Sequence, residues 1–272
     1  MTRVKRILAK LGSSFKRAGR LIARNPLVLP MLLIGAAAAI LAYGLPWRLE
    51  SAINAMSFAV ARRIAGTGIT ESAPLRAEAL TLLKLTLAAA LLYLCAVWLA
   101  LQCARRAQND LRAALEAKRA VYAEKGFVPP ETWADDAAKD TRRLSAAVAS
   151  VPELMMLIAA FAFCGNLLSR LPSVAAAALP VTAILVFYAV HRLTERGIAR
   201  PVRTIAVAGL WAAGTLTGLA GLLKQTPNSL LLGTVVMLLL AMTVIIPAVL
   251  LLPWRSAMPT WAAFKRIRTF LK

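Results

Sequence analysis

The apolar positions of this chain gather into six blocks separated by polar and basic stretches. The blocks fall at residues 27–46, 82–103, 148–169, 174–190, 204–223 and 229–252, each close to the ~20 residues that cross the hydrocarbon layer of a bilayer. Backbone groups in that layer must satisfy one another, so each block is predicted as a spanning helix. The second and third do not stop at the membrane. Charge begins at Arg105 and runs at helix-forming spacing to Arg143, with a turn at 126–130. That pattern predicts two helices continuing into water on one side as a hairpin over 104–147. Beyond the first span, Leu49, Ile53, Met56, Val60 and Ile64 recur at helical spacing, predicting a helix to about Ala65 and a loop at 66–70. Residues 47–81 as a whole return to water, and Leu171–Ser173 is a tight connection.

The expected fold is therefore all-α: a polytopic membrane protein of six transmembrane helices, with helices 2 and 3 extended into the cytoplasm and both termini inside. Its parts are a basic membrane-surface helix at 1–26, the six-span domain at 27–252 and a cytoplasmic helix at 253–272. Composition agrees, since the chain is 60% hydrophobic with a mean hydropathy of +0.68, outside the range of soluble domains.

The net charge of +21 changes the picture more. In a chain with spans, basic residues are first explained by orientation, and no zinc, RNP-like or helix-turn-helix signature argues for nucleic acid. Of the 33 Lys and Arg, 26 fall in residues 1–26, 104–147, 191–203 and 253–272, against 6 in the alternate segments. That bias assigns the first set to the cytoplasm. Residues 1–26 carry eight basic residues and no acid, with Val4, Ile7, Leu8, Leu11 and Phe15 at helical spacing. This suits a retained amphipathic helix on anionic headgroups; the competing reading is a signal-peptide n-region, against which stand its length and the lack of a small-residue cleavage site.

Candidate chemistry is sparse. Cys95, Cys103 and Cys164 lie in or beside spans with no CxxC, and are read as packing residues. The one histidine, His191, has no partner for a metal site, and no Walker A, Rossmann or GxSxG pattern occurs. No enzyme, metal or cofactor is expected. Glu153, one turn inside the third span, is the proton-coupling candidate, since an intramembrane carboxylate is a functional group by default. Its structural reading is an acid favouring the dipole of a helix that starts at Pro152. Arg76, Glu78 and Lys84 suit an ion-paired cluster at the outer end of span two, and Arg170 can snorkel outward. At the hairpin tip Phe127 and Trp133, beside Asp135 and Asp136, form a candidate docking face. Gly214 and Gly218 make a GxxxG read as helix packing, while Pro180 and Pro247 lie inside spans four and six, where each either loosens the helix or only fits the bundle.

The six-span plan with a long second and third helix resembles the membrane domain of an ABC exporter. More specifically, the segment WADDAAKDTRRLSAAVASVPELMMLIAAFAF is similar to the SbmA/BacA peptide-transporter family through Asp140, Thr141, Arg143, Ser145 and the run Leu157–Phe161. The ending TWAAFKRIRTFLK resembles the helix that closes such domains. The chain differs in carrying Lys139 in place of an acid and in its short 191–203 connection. The resemblance implies a homodimer around a polar cavity, moving peptide-like cargo on the proton gradient without ATP; the broader one implies a separate ATPase touching the hairpin tip. The expectation is an inner-membrane transporter subunit. The alternatives are a non-transporting component of a secretion or conjugation assembly and the membrane subunit of an ABC transporter.

Overall fold

Helical periodicity and long apolar runs leave the backbone little alternative to helix, and helices are what form. The computed structural model describes residues 25–66, 72–124, 126, 133–226, 228–251, 260, 262, 263 and 265–267. Over these the chain is all-helical, with six helices long and apolar enough to cross a membrane. In order they are α1 (Val28–Ile64), α2 (Ser72–Glu124), α3 (Trp133–Ala149), α4 (Val151–Leu168), α5 (Ser173–Glu195), α6 (Arg200–Gln225) and α7 (Asn228–Leu251); α3 is the one without a spanning run. Residues 1–24 of the surface helix expected at 1–26, Phe127, the side chain of Trp133 and the Pro129–Pro130 tip lie outside the described residues, as do 67–70 of the expected loop and most of 253–272.

Glycine sets the ends of α1 and α2. Gly66 and Gly126 take φ of +68° and +75°, and their N–H groups donate to Arg63 and Ala123 carbonyls. The left-handed conformation that ends a helix this way costs glycine nothing.

Helix α1 runs unbroken from the first span through Pro46 to Ile64, as the helical spacing predicted. Two boundaries differ from the sequence reading. Helix α2 starts at Ser72, well before Leu82; Pro74 falls in its first turn, where no helical bond is lost. Arg76 and Glu78 lie exposed on its surface, so the charge that suggested a watery segment is carried on a solvated helix. The third expected span, by contrast, is divided at Ser150 between α3 and α4. Pro152 has no N–H for the Val148 carbonyl and its ring crowds that group, so the chain re-enters the helix with proline in the first turn.

The chain forms two compact units. One comprises residues 1–37, 91–155 and 253–272. Here Met31, Leu99, Cys103 and Val148 form one apolar cluster, and Leu111, Leu115, Leu144 and Ile267 form another. Helix α3 contributes Asp140, Thr141, Leu144, Ser145 and Val148 as one buried stripe at helical spacing. The other unit comprises residues 38–90 and 156–252. Its core joins Phe163 and Leu167 of α4 to Leu179 and Val186 of α5, Leu222 of α6, and Met237 and Met242 of α7.

Large apolar side chains also face outward: Leu83, Leu87, Leu91, Leu94 and Trp98 on α2, Ile184 on α5 and Leu216 on α6 are all more than half exposed. Contiguous surfaces of this kind suit lipid. Cys95 shares that exposure while Cys103 is buried, which corrects the expectation that all three cysteines fill packing sites.

Candidate functional site

A polar cavity in the second unit is assembled from three stretches of chain. Helix α1 carries Tyr43, Trp47 and Glu50 at spacings of four and three, which puts them on one face. Against it, Phe163 and Asn166 of α4 and Arg170 of the α4–α5 turn follow the same periodicity. Asn166 Nδ2 donates to the Tyr43 hydroxyl at 2.7 Å. One turn along, the Trp47 and Phe163 rings meet edge to face at 5.4 Å, and the Arg170 guanidinium lies 4.3 Å from the Trp47 ring centroid. A cation over an indole face is held by the ring quadrupole, and the arrangement fixes where the charge sits.

Beyond Arg170 opens a cavity of about 520 Å³, walled by Leu167, Leu171 and Pro172 and given its polarity by Glu50, Arg170, Gln225, Thr226 and Thr234. Glu50 is half-buried and forms no ion pair with Arg170 within 4.0 Å. The Thr226 hydroxyl is buried without a hydrogen-bond partner among the described residues. A second cavity in this unit, about 430 Å³, is lined almost wholly by apolar groups, among them Leu45, Leu49, Leu82, Met156 and Phe163.

The first unit holds a different construction. Asp140 is 3% exposed and accepts two hydrogen bonds from Arg266, from Nε to Oδ2 and from Nη2 to Oδ1, both at 2.6 Å. Arg143 stands 3.8 Å from the same carboxylate. The bidentate fork raises the pKa of Arg266 above its ordinary value, chiefly through the hydrogen bond to Asp140 and then through its charge. This contact, with Ile267 in the cluster of Leu111, Leu115 and Leu144, pins the C-terminal helical segment onto the hairpin.

The residues singled out from sequence fall as follows. Glu153 is exposed in the first turn of α4, within electrostatic reach of Tyr93. Asp135 and Asp136 are exposed in the first turn of α3, which Trp133 begins. Gly214 and Gly218 lie where α6 packs on its neighbours: a Cβ on Gly214 would stand 2.9 Å from the Thr182 Cβ of α5, and one on Gly218 would stand 2.8 Å from Leu238 Cδ2 of α7 and 3.5 Å from Ala178 of α5. Arg76, Glu78 and Lys84 form no ion pair with one another, which corrects the cluster read there. His191 stands 3.5 Å from Glu195 on the exposed face of α5. Among the described residues, no three His, Cys, Asp or Glu side chains gather as a metal site would require.

Sequence reasoning missed Tyr43, Trp47 and Glu50 as a set, and the pairing of Asp140 with Arg266. The first signal was available, since residues 43, 47 and 50 share a helix face; the second joins residues 126 apart and left no local trace. Compared with known proteins, the chain matches no family model and no curated sequence.

Proposed function

We propose that this chain is the membrane subunit of a transporter in a bacterial inner membrane, moving a peptide-like or other amphipathic substrate as a homodimer. The observation that carries the reading is α2. Its 53 residues make a rod about 80 Å long at 1.5 Å per residue, against a hydrocarbon layer of about 30 Å. More than half of it therefore lies outside that layer as continuous helix. The projecting part is packed: Leu111 and Leu115 meet Leu144 and Ile267, and Asp140 holds Arg266. A stiff element running from a span to a watery tip can carry movement from one to the other, as a gated transport cycle requires. The basic-residue bias supports a cytoplasmic tip with both termini on the same side, and the resemblance of 133–163 to the SbmA/BacA family supports peptide-like cargo.

In this reading Glu153, the one acid of α4, is the proton-coupling group. Glu153→Gln should reduce uptake driven by an imposed proton gradient in proteoliposomes to background, while dimer mass and helical content stay unchanged. Unchanged uptake would remove Glu153 from coupling.

A second reading, a non-transporting component of a secretion or conjugation assembly, is favoured by the exposed acids Asp135 and Asp136 at the start of α3, which suit docking to a basic partner. The same face would serve a separate ATPase. Absence of gradient-driven flux for any peptide, with a stable complex recovered from membranes, would favour docking over transport.

A further inference from the structure

The cavity beside Arg170 holds two opposite charges that do not pair. Glu50 and Arg170 both line it, yet no ion pair within 4.0 Å joins them, and Arg170 is instead stationed over Trp47. Glu50 is half-buried and Arg170 exposed, and opposite charges that share a small space attract each other. What holds them apart is the scaffold. Trp47 is braced by Phe163, and α1 is tied to α4 by the Asn166–Tyr43 hydrogen bond. Arg170 itself sits in a turn whose backbone N–H groups at 170 and 171 both bond to Leu167.

We infer that this cavity binds a zwitterion: a molecule whose primary ammonium faces Glu50 and whose carboxylate or phosphate faces Arg170. Such a ligand supplies both missing counter-charges at once and adds no net charge to the site. The remaining polar lining suits its neutral part. Gln225 offers an amide, and the Thr226 hydroxyl, buried and without a partner among the described residues, is satisfied by one hydrogen bond from or to a ligand. Leu167, Leu171 and Pro172 close the apolar side. At about 520 Å³ the space lies within the ~300–1,000 Å³ of small-molecule sites. Two sources share this chemistry, a short free peptide and the headgroup of an ethanolamine phospholipid. The inference does not depend on transport, because a structural lipid would occupy the site in a protein that moves nothing.

The test uses the full-length chain in phosphatidylcholine nanodiscs and in native membrane extracts. In the first arm, calorimetric titration compares tri-alanine with its N-acetyl and C-terminal amide analogues. In the second, native mass spectrometry reads whether phosphatidylethanolamine is retained in preference to phosphatidylcholine. Binding in either arm supports the inference if it needs both charges and if Glu50→Gln weakens it about tenfold or more, as loss of one charge-assisted hydrogen bond does. Arg170→Gln should do the same, and Glu50→Gln carries the test should that variant not fold. Retention of ethanolamine lipid without peptide binding identifies the lipid source and counts against peptide cargo, while leaving the zwitterion site intact. Equal binding of charged and blocked peptides together with indifference to lipid headgroup, or binding unaffected by Glu50→Gln, overturns it.

Discussion

Gly221→Ala will lower the unfolding midpoint of the purified protein, whereas Gly209→Ala, a little over three turns earlier on α6 and on its exposed side, will leave it unchanged or raise it. In a helix interior alanine is preferred to glycine by about 0.5–1 kcal/mol. Whether that gain is realised depends on what the new methyl meets. At Gly209 nothing lies within 4 Å. At Gly221 a Cβ would stand 2.9 Å from the Val174 Cβ and 3.0 Å from the backbone nitrogen of Ala175, atoms that no side-chain rotation can move. The helices must separate, and overpacking of this kind costs about 1–3 kcal/mol. Gly214→Ala belongs with Gly221→Ala, because Thr182 is 3% exposed and its Cβ is fixed by the α5 backbone. Gly218→Ala should be the mildest of the three seam variants, since what it meets at 2.8 Å is the tip of a leucine. Thermal unfolding in detergent, followed by loss of the monodisperse peak, checks the order. No loss at Gly221 would mean that α5 and α6 do not meet along this seam.

Arg266→Ala will loosen the C-terminal segment more than Asp140→Ala will, although the two substitutions break the same pair. The reason is burial. The Asp140 side chain is 4% exposed and that of Arg266 55% exposed. Removing Asp140 leaves a guanidinium that turns into water. Removing Arg266 leaves a carboxylate inside the packing with only Arg143, at 3.8 Å, to answer it, and an uncompensated buried charge is the costly half of a broken pair. The segment can be read out at Ala263, which is fully buried: in an Ala263→Cys background, thiol labelling should accelerate strongly with Arg266→Ala and weakly with Asp140→Ala. Equal acceleration would contradict the unequal burial of the two partners, and no acceleration with either would contradict the pairing itself.

Much of the architecture could be read from the chain, and the reasons are local. Six apolar runs of spanning length leave the backbone no partner but itself, so helix followed directly. Gly66 and Gly126 marked the ends of α1 and α2 because only glycine takes their backbone angles without strain. The errors were local too. Arg76 and Glu78 disguised the first turns of α2, because charge on a solvated helix looks like charge in a loop. At Pro152 the proline was read as the start of a helix near the interface, while the apolar run through it hid that α3 ends before it.

The site was less legible. Asp140 was singled out only for its resemblance to a transporter segment, and Arg266 only as part of a basic tail; their contact depends on how α3 and the C-terminal segment pack. Glu50 lies in a stretch that reads as the polar continuation of a span, and its relation to Arg170 arises only when α1 and α4 lie side by side. Gly221 outranks Gly218 by what its neighbour is made of, backbone rather than side-chain tip, which a GxxxG count does not contain.

The topology we propose has six spans that put the hairpin and the α5–α6 connection on one face of the membrane and the other turns on the opposite face. With Cys95, Cys103 and Cys164 replaced, single cysteines at Asp110, Arg196, Gly66 and Lys224, all exposed, can be labelled with a membrane-impermeant maleimide in inside-out and right-side-out vesicles. Positions 110 and 196 should react only where the cytoplasmic face is outward, and 66 and 224 only in the reverse orientation. Labelling of 110 and 196 from opposite faces would contradict the six-span arrangement.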